Sequence, residues 1–222
     1  MLLESIRHIG RRRGDLRSAI EYENLDRWEE SCVPSYCHPN ILAAGVSWLR
    51  LFAALKLAER LRPDPVRVLD FGSSVGEVGH LLPARSIRYD FIERDDVAAE
   101  FLLSRLRGAN RQTLESAAGE SYDWVFAIDS LEHNNNYAEL LQTLSAKLAP
   151  GGIFILSGPT ENALYRLGRR VAGFNSHYHV TTVYHIEAAA GWGLQRVGLR
   201  TVPFGVPLFR ISGWTKAQLP RS

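Results

Sequence analysis

An acidic residue and two glycines follow a short apolar run in residues 66–82, VRVLDFGSSVGEVGHLL. Asp70 ends the run, and Gly72 and Gly76 precede a segment with the pattern of a helix. Glycine allows a tight backbone turn and leaves no Cβ in the way of a ligand. Because ligands of doubly wound sheets bind at the carboxyl ends of the strands, the stretch predicts a ligand-binding turn.

Two classes of ligand use such a turn, and the glycine spacing separates them. A dinucleotide turn has the pattern G-x-G-x-x-G and directs the next helix at a pyrophosphate. Counted from Gly72, this pattern needs glycine at 74 and 77, where the chain has Ser74 and Glu77. A carboxylate at Glu77 would also repel the phosphates. A nicotinamide-dependent oxidoreductase is therefore disfavoured.

The alternative pattern is acid-x-Gly-x-Gly-x-Gly, which residues 70–76 follow except at Ser74. Here the chain resembles the class I S-adenosylmethionine-dependent methyltransferases, in particular the small-molecule branch (types 11 and 12) with LEH after the fourth strand. The donor of that family has a sulfonium, an ammonium and a carboxylate but no phosphate, so an acid suits the turn. The resemblance covers residues 41–212 and rests on further segments in the same order, namely YDFIERDD, YDWVFAIDSLEH, LAPGGIFILS and SHYHVTTVYHIEAAAGWGLQRVGLR.

The resemblance implies that the donor contacts residues at the ends of four strands. Asp70 would help to hold the cationic methionine end, and Glu93 would accept hydrogen bonds from both ribose hydroxyls, each worth about 1.5–3 kcal/mol. Gln112 is the nearest candidate beside the adenine amino group. The implied donor-binding residues are Asp70, Gly72, Ser74, Gly76, Glu93, Gln112, Asp129 and Leu131.

Each acid in this set also has an ordinary structural explanation. Asp70 could be a turn residue, Glu93 a solvated strand end in the polar cluster ERDD, and Asp129 the N-cap of a short turn. Their order along the chain, together with the two glycines, favours the functional interpretation. Ser74 is small and can donate a hydrogen bond, so we expect donor binding to survive this departure from the pattern.

Three histidines, His133, His177 and His179, are candidate bases for an acceptor hydroxyl. His177 and His179 would face the same side of a strand, and the resemblance places the acceptor pocket nearby. A structural role or a contact with the acceptor is the alternative for each histidine. Cys32 and Cys37 are interpreted as packing thiols, because zinc needs four ligands, and no metal site is predicted.

Apolar periodicity predicts alternating helices and strands after residue 40. Such alternation indicates an α/β fold, here a Rossmann-like, doubly wound, seven-stranded sheet with helices on both faces. The sheet is expected to be mostly parallel with an antiparallel C-terminal strand. Predicted helices cover 41–61, 97–106, 137–148, 161–173 and part of 174–193; predicted strands cover 66–71, 87–93, 111–114, 122–128, 153–157, 194–203 and 206–214.

Residues 1–40 predict a helical arm or lid, and residues 41–222 the methyltransferase domain. The arm begins with a basic cluster formed by Arg7, Arg11, Arg12, Arg13 and Arg17, which EYENLDRWEES follows. A solvated, partly helical arm is one interpretation. A lid, or a patch that attracts an anionic substrate or a peripheral membrane contact, is the other.

The composition of the 222 residues limits the class of protein further. A formal charge of +2 does not indicate nucleic-acid binding, and DSLEH stands where methylases of base amines carry an Asn/Asp-Pro-Pro-aromatic element. Two cysteines, no apolar run of membrane-span length and no signal-peptide core predict a cytoplasmic protein. The excess of arginine over lysine is typical of a bacterial chain from a GC-rich genome.

The predicted function is transfer of a methyl group from S-adenosylmethionine to a small-molecule, sugar or lipid-linked acceptor, on oxygen, leaving S-adenosylhomocysteine. Such an in-line displacement depends mainly on positioning the acceptor. A monomer or a homodimer is compatible with this function. The alternatives are a non-catalytic nucleotide-binding module of the same fold, which Ser74 supports, and the disfavoured oxidoreductase.

Overall fold

The computed structural model describes residues 2–20, 28, 31–82, 87–166, 180–203 and 207–217. Seven helices are defined within these ranges: α1 Leu2–Ala19, α2 Val33–Tyr36, α3 Ile41–Leu61, α4 Glu77–Leu81, α5 Asp96–Arg105, α6 Tyr137–Ala146 and α7 Val183–Ala190. Seven strands accompany them: β1 Arg67–Phe71, β2 Arg88–Ile92, β3 Asn110–Arg111, β4 Tyr122–Ile128, β5 Leu148–Pro159, β6 Leu194–Val202 and β7 Phe209–Lys216.

All seven strands form one sheet in the order β3-β2-β1-β4-β5-β7-β6. Neighbours from β3 to β5 pair in parallel, whereas β7 runs antiparallel to both β5 and β6. The prediction of a mostly parallel, doubly wound sheet with one antiparallel strand near the C-terminus is confirmed. The strand order reverses between β1 and β4, and the carboxyl ends of these two strands therefore border the crevice where ligands of such sheets bind.

The core lies in two layers, one on each face of the sheet. Alternate residues of a strand point to opposite faces, so Val68 and Trp124 join one cluster while Leu69 and Val125 join the other. Side chains of α3 and α5 complete the first layer, and those of α6 and α7 complete the second. This two-faced burial explains the nearly continuous apolar run of β4.

Two elements differ from the sequence-based expectation. The third strand covers only Asn110–Arg111 and not the predicted 111–114. Both residues are exposed, so the strand has no apolar pattern from which its position could be predicted. The sixth helix ends at Ala146, and the sequence APGG lies inside β5. Tyr122 pairs with Leu148 and Trp124 pairs with Ile153, so one residue of β4 lies opposite four residues of β5. These four residues, 149–152, form a bulge in β5.

The N-terminal segment buries apolar side chains in the first core layer. Leu16 of α1, together with Val33, Tyr36 and Cys37 in and beside α2, joins the cluster that contains Trp48 of α3. The domain boundary at residue 40 remains a prediction, and side chains on both sides of it pack together. Among the described residues, no helix is long and apolar enough to cross a membrane.

Gly72→Ala is expected to destabilise the fold more than Gly108→Ala. Both glycines have a positive φ, +70° and +82°, at which a side chain costs about 1–2 kcal/mol. A Cβ at Gly72 would lie 2.4 Å from the Cβ of Ser130, whereas one at Gly108 would meet nothing within 4 Å. Overpacking should cost Gly72→Ala about 1–3 kcal/mol more, measured by urea unfolding. Equal losses in the two variants would show that Ser130 does not constrain this turn.

Candidate active site

The turn after β1 has three residues in the left-handed region of backbone conformation. Gly72, Ser74 and Gly76 have φ values of +70°, +49° and +82°. A Cβ at Gly76 would lie 2.6 Å from Leu102 Cγ, so this position also lacks room for a side chain. Ser74 occupies a conformation that costs a residue with a Cβ about 1–2 kcal/mol.

The carboxylate of Glu93 fixes this turn to the end of β2. Its Oε2 accepts a hydrogen bond of 2.7 Å from the Ser74 backbone N–H, and its Oε1 accepts one of 2.9 Å from Asp95. The Gly72 N–H also donates to the Ile92 carbonyl over 2.8 Å. Hydrogen bonds to an ionised acceptor are about twice as strong as neutral ones. The hydrogen bond from the Ser74 N–H to Glu93 therefore offsets the backbone strain at Ser74.

Asp70 is almost fully buried at the start of the same turn. Its Oδ2 accepts a hydrogen bond of 2.7 Å from the Tyr89 hydroxyl. Burial raises the pKa of Asp70 to about 7; the Tyr89 bond lowers the pKa and the nearby charge of Glu93 raises it. Asp70 therefore changes its charge close to neutral pH, where it can respond to a cationic ligand.

A small cleft opens at this turn, between the ends of β1 and β4. The hydroxyls of Ser73 and Ser74 are buried without a hydrogen-bond partner among the described residues, as is that of Ser130 beside Gly72. Buried polar atoms normally have partners, so these hydroxyls indicate a polar ligand. The lining residues are Cys32, Tyr36, Leu51, Asp70, Gly72, Ser73, Ser74, Glu77, Val78 and Ile128.

The N-terminal segment forms part of the wall of this cleft. Cys32 and Tyr36 line it, and Arg12 of α1 donates to the Glu77 carboxylate over 3.1 Å from Nε and 2.6 Å from Nη2. The pKa of Glu77 lies above its ordinary value because burial raises it more than the hydrogen bond and the charge of Arg12 lower it. Burial raises the pKa of Cys32 to about 11, so its thiol stays protonated, as expected of a packing thiol.

Asp129 lies at the end of β4 in an ion pair with Arg50. Its Oδ1 also accepts a hydrogen bond of 3.0 Å from the Ser157 hydroxyl. Arg50 is only 3% exposed, donates to the Tyr36 hydroxyl over 3.3 Å and lies over the Phe209 ring. The sequence analysis missed Arg50; its signal in the sequence is a charged residue between two leucines in the mostly apolar first half of α3.

The other predicted site residues lie outside the turn after β1. Gln112 follows β3, and its Oε1 accepts a hydrogen bond of 3.0 Å from Ser116. Leu131 is buried in the second core layer, and His133 is exposed at the end of the same 3-10 turn, Leu131–His133. His177 and His179 lie outside the described residues.

The chain matches the model of one known protein family. A family model described as a methyltransferase domain matches residues 47–203, which include the turn, the cleft residues of β1 and β4, and all the predicted donor-binding residues. No curated protein matches the chain significantly.

Solved structures of similar fold include proteins from bacteria, an archaeon and a nematode. The N-methyltransferase NodS from Bradyrhizobium japonicum WM9, in complex with S-adenosyl-L-homocysteine, is 15% identical over 89% of this chain and 98% of its own, with a TM-score of 0.65. A protein from Pyrococcus horikoshii OT3 is 15% identical over 83% and 96%, with a TM-score of 0.65. Phosphoethanolamine N-methyltransferase 2 from Haemonchus contortus, bound to phosphomonomethylethanolamine and S-adenosylhomocysteine, is 13% identical over 75% and 53%, with a TM-score of 0.56.

Asp70→Asn should change how stability depends on pH. The pKa of Asp70 is about 7 when folded against 3.8 when unfolded, so the stability that neutral Asp70 contributes is complete below pH 3.8 and lost as pH rises to about 7. The variant does not titrate, and its side-chain oxygen can still accept the Tyr89 hydrogen bond.

The free energy of unfolding of Asp70→Asn, relative to the unchanged protein, should therefore rise by up to about 1.4 kcal/mol per pH unit across this window. Urea unfolding at several pH values measures it. Glu139→Gln, which removes an exposed carboxylate from α6, is the matched control. A pH-independent difference between Asp70→Asn and the unchanged protein would contradict the assignment.

Proposed function

The chain belongs to the S-adenosylmethionine-dependent methyltransferase family, and from this premise we propose that it methylates a hydroxyl of a small-molecule, sugar or lipid-linked acceptor. The observation that carries the proposal is the turn after β1. It joins a buried acid, Asp70, to the acid Glu93 at the next strand end, beside two buried hydroxyls that have no hydrogen-bond partner among the described residues.

The charge of the cleft favours a cationic nucleoside over a diphosphate. None of the ten described residues that line the cleft is basic; two of them, Asp70 and Glu77, are acids, and Glu77 is paired with Arg12 of α1. A third acid, Glu93, accepts a hydrogen bond from the turn itself. A pyrophosphate at Gly72 would meet Asp70 and Glu93, whereas a sulfonium and an ammonium would be attracted by their carboxylates.

Residues at the four strand ends divide the work of holding the donor. We assign the methionine end to Asp70 and the glycine-rich turn, the ribose hydroxyls to Glu93, and the adenine side to Gln112. Asp129 and Leu131 would border the donor from β4. When bound, the donor supplies a methyl carbon activated by the sulfonium; the protein excludes water and holds the acceptor in line with that carbon.

A base would help to remove the proton of an acceptor hydroxyl. His133, His177 and His179 remain the candidates from sequence. His133 is exposed beside buried Glu132.

The segment 1–40 is proposed to act as a lid over the donor. Cys32 and Tyr36 in the cleft wall support this, as does the bidentate contact of Arg12 with Glu77. Arg7, Arg11 and Arg17 are exposed, and they remain available for an anionic acceptor or a membrane surface. We also propose that the protein is cytoplasmic, that it is a monomer or a homodimer, and that it does not bind nucleic acid.

Nitrogen is the second candidate for the methylated atom. NodS and the Haemonchus contortus protein are N-methyltransferases by name. A donor-binding protein without turnover is the remaining alternative, and it would bind S-adenosylmethionine but methylate no acceptor in a broad panel.

Glu93→Ala should weaken the binding of S-adenosylhomocysteine while the protein remains folded. Loss of one or two hydrogen bonds of about 1.5–3 kcal/mol corresponds to at least a tenfold rise in Kd, measured by calorimetry. Glu100→Ala removes an exposed carboxylate from α5 and serves as the matched control.

An unchanged affinity of Glu93→Ala would remove Glu93 from the donor site. Tight binding of a nicotinamide dinucleotide, with no binding of S-adenosylhomocysteine, would instead support an oxidoreductase.

A further inference from the structure

The donor carries one negatively charged group, its carboxylate, and the cleft has no basic side chain to receive it. None of the described residues that line the cleft is an arginine, a lysine or a histidine. The acids Asp70 and Glu93 suit the positive charges of the donor, but they would repel a carboxylate. A carboxylate bound in this cleft must therefore be held by neutral hydrogen-bond donors.

Three side chains of the cleft wall carry hydroxyl groups that can act as such donors. Ser73 and Ser74 are 7% and 8% exposed, and neither hydroxyl has a hydrogen-bond partner within the described ranges. Tyr36 is 4% exposed and lines the same cleft from the N-terminal segment. Because a hydroxyl always has one proton to donate, each of these groups can bind a ligand oxygen. Together they form the hydroxyl set of the cleft, Tyr36, Ser73 and Ser74.

The hydroxyl of Tyr36 already accepts a hydrogen bond from a buried cation. Arg50 Nη2 donates to it over 3.3 Å, and within the described part of the chain the hydroxyl itself donates to no other group. Hydrogen bonds in series polarise one another, so a phenol that accepts from a guanidinium becomes a stronger donor. The ring is also fixed, since Trp48 packs 4.9 Å from it and its Nε1 donates to the Tyr36 carbonyl.

Arg50 is held in place on the far side of Tyr36. It pairs with Asp129 and lies 4.7 Å from the centre of the Phe209 ring. Burial raises the pKa of the Cys32 thiol, which lines the cleft, and Arg50 is the charged group that opposes this rise most. The positive charge of Arg50 therefore acts at the cleft wall, although Arg50 is not itself among the described residues that line the cleft.

We propose that the hydroxyl set holds the carboxylate of the donor, and that Arg50 is a positioning residue that orients and polarises the Tyr36 hydroxyl. This inference rests on the proposed function, because it divides the methionine end of the donor between two groups of residues. The acids of the cleft attract the positive charges, and the hydroxyl set binds the negative one. Tyr36 lies in segment 1–40, so that segment completes the donor site.

The test compares two probes that differ only in this carboxylate, S-adenosylhomocysteine and its decarboxylated form, which keeps the amine. Calorimetry gives the Kd of each probe. The unchanged protein should bind S-adenosylhomocysteine more tightly, although the acids of the cleft favour the more positive probe. Tyr36→Phe removes one hydrogen bond to a charged group, so its Kd for S-adenosylhomocysteine should rise about tenfold, while its Kd for the decarboxylated probe stays the same.

Two further variants extend the comparison. Ser73→Ala should act in the same direction as Tyr36→Phe, because it removes another hydroxyl from the set. Tyr184→Phe removes the hydroxyl of an exposed tyrosine of α7 and serves as the matched control, with no change for either probe.

Arg50→Lys tests the positioning role. Lysine keeps the positive charge but lacks the planar fork that reaches Asp129 and Tyr36 together. The variant should weaken the binding of S-adenosylhomocysteine relative to the decarboxylated probe. The same change should have much less effect on this ratio when it is combined with Tyr36→Phe, because the hydroxyl that Arg50 positions is then absent. A merely structural role would affect both probes alike.

The outcomes separate the inference from the proposed function. An unchanged protein that binds the decarboxylated probe at least as tightly as S-adenosylhomocysteine overturns the carboxylate site, whether or not the variants fold. A ratio of the two Kd values that stays constant in Tyr36→Phe, shown by thermal unfolding to be folded, also overturns it. An equal effect of Arg50→Lys with and without the Tyr36 hydroxyl overturns the role of Arg50. Failure of S-adenosylhomocysteine to bind the unchanged protein contradicts the proposed function itself.

Discussion

The hydrogen bond between the Ser74 N–H and the Glu93 carboxylate is the interaction on which the site depends. It fixes a strained turn after β1 to the end of β2, and it directs an acid onto the cleft at the point where the strand order reverses. Close contacts at Gly72 and Gly76 leave no room for a side chain at either position, because Ser130 and Leu102 occupy the space of a Cβ. The geometry that holds the backbone therefore also positions the charges that would receive a cationic donor.

Two arginines connect the rest of the chain to this turn. Arg12 neutralises Glu77 inside the cleft, and Arg50 pairs with Asp129 and donates to Tyr36. Arg12 therefore links α1 to the first residue of α4, and Arg50 links α3 to the carboxylate that follows β4. The remaining acids, Asp70 and Glu93, keep the cleft region suited to positive charge, and burial makes Asp70 sensitive to it.

Much of the fold and the core of the site could be predicted from the sequence because both depend on local patterns. The apolar runs of β1 and β4 predict a parallel sheet, and its topology alone brings Asp70 and Glu93 to one edge. Arg50 could not be found in this way, because an ion pair across 79 positions is a tertiary property. The bulge in β5 was missed since Pro150 and Gly151 end a helix as readily as they interrupt a strand.

A crystal structure of the protein with S-adenosylhomocysteine tests the central claim most directly. The account predicts that both ribose hydroxyls lie within hydrogen-bond distance of the Glu93 carboxylate, and that the amino-acid end lies over the turn from Gly72 to Gly76 next to Asp70. A nucleoside bound elsewhere, or a ribose that leaves Glu93 bonded only to backbone N–H groups, would contradict it.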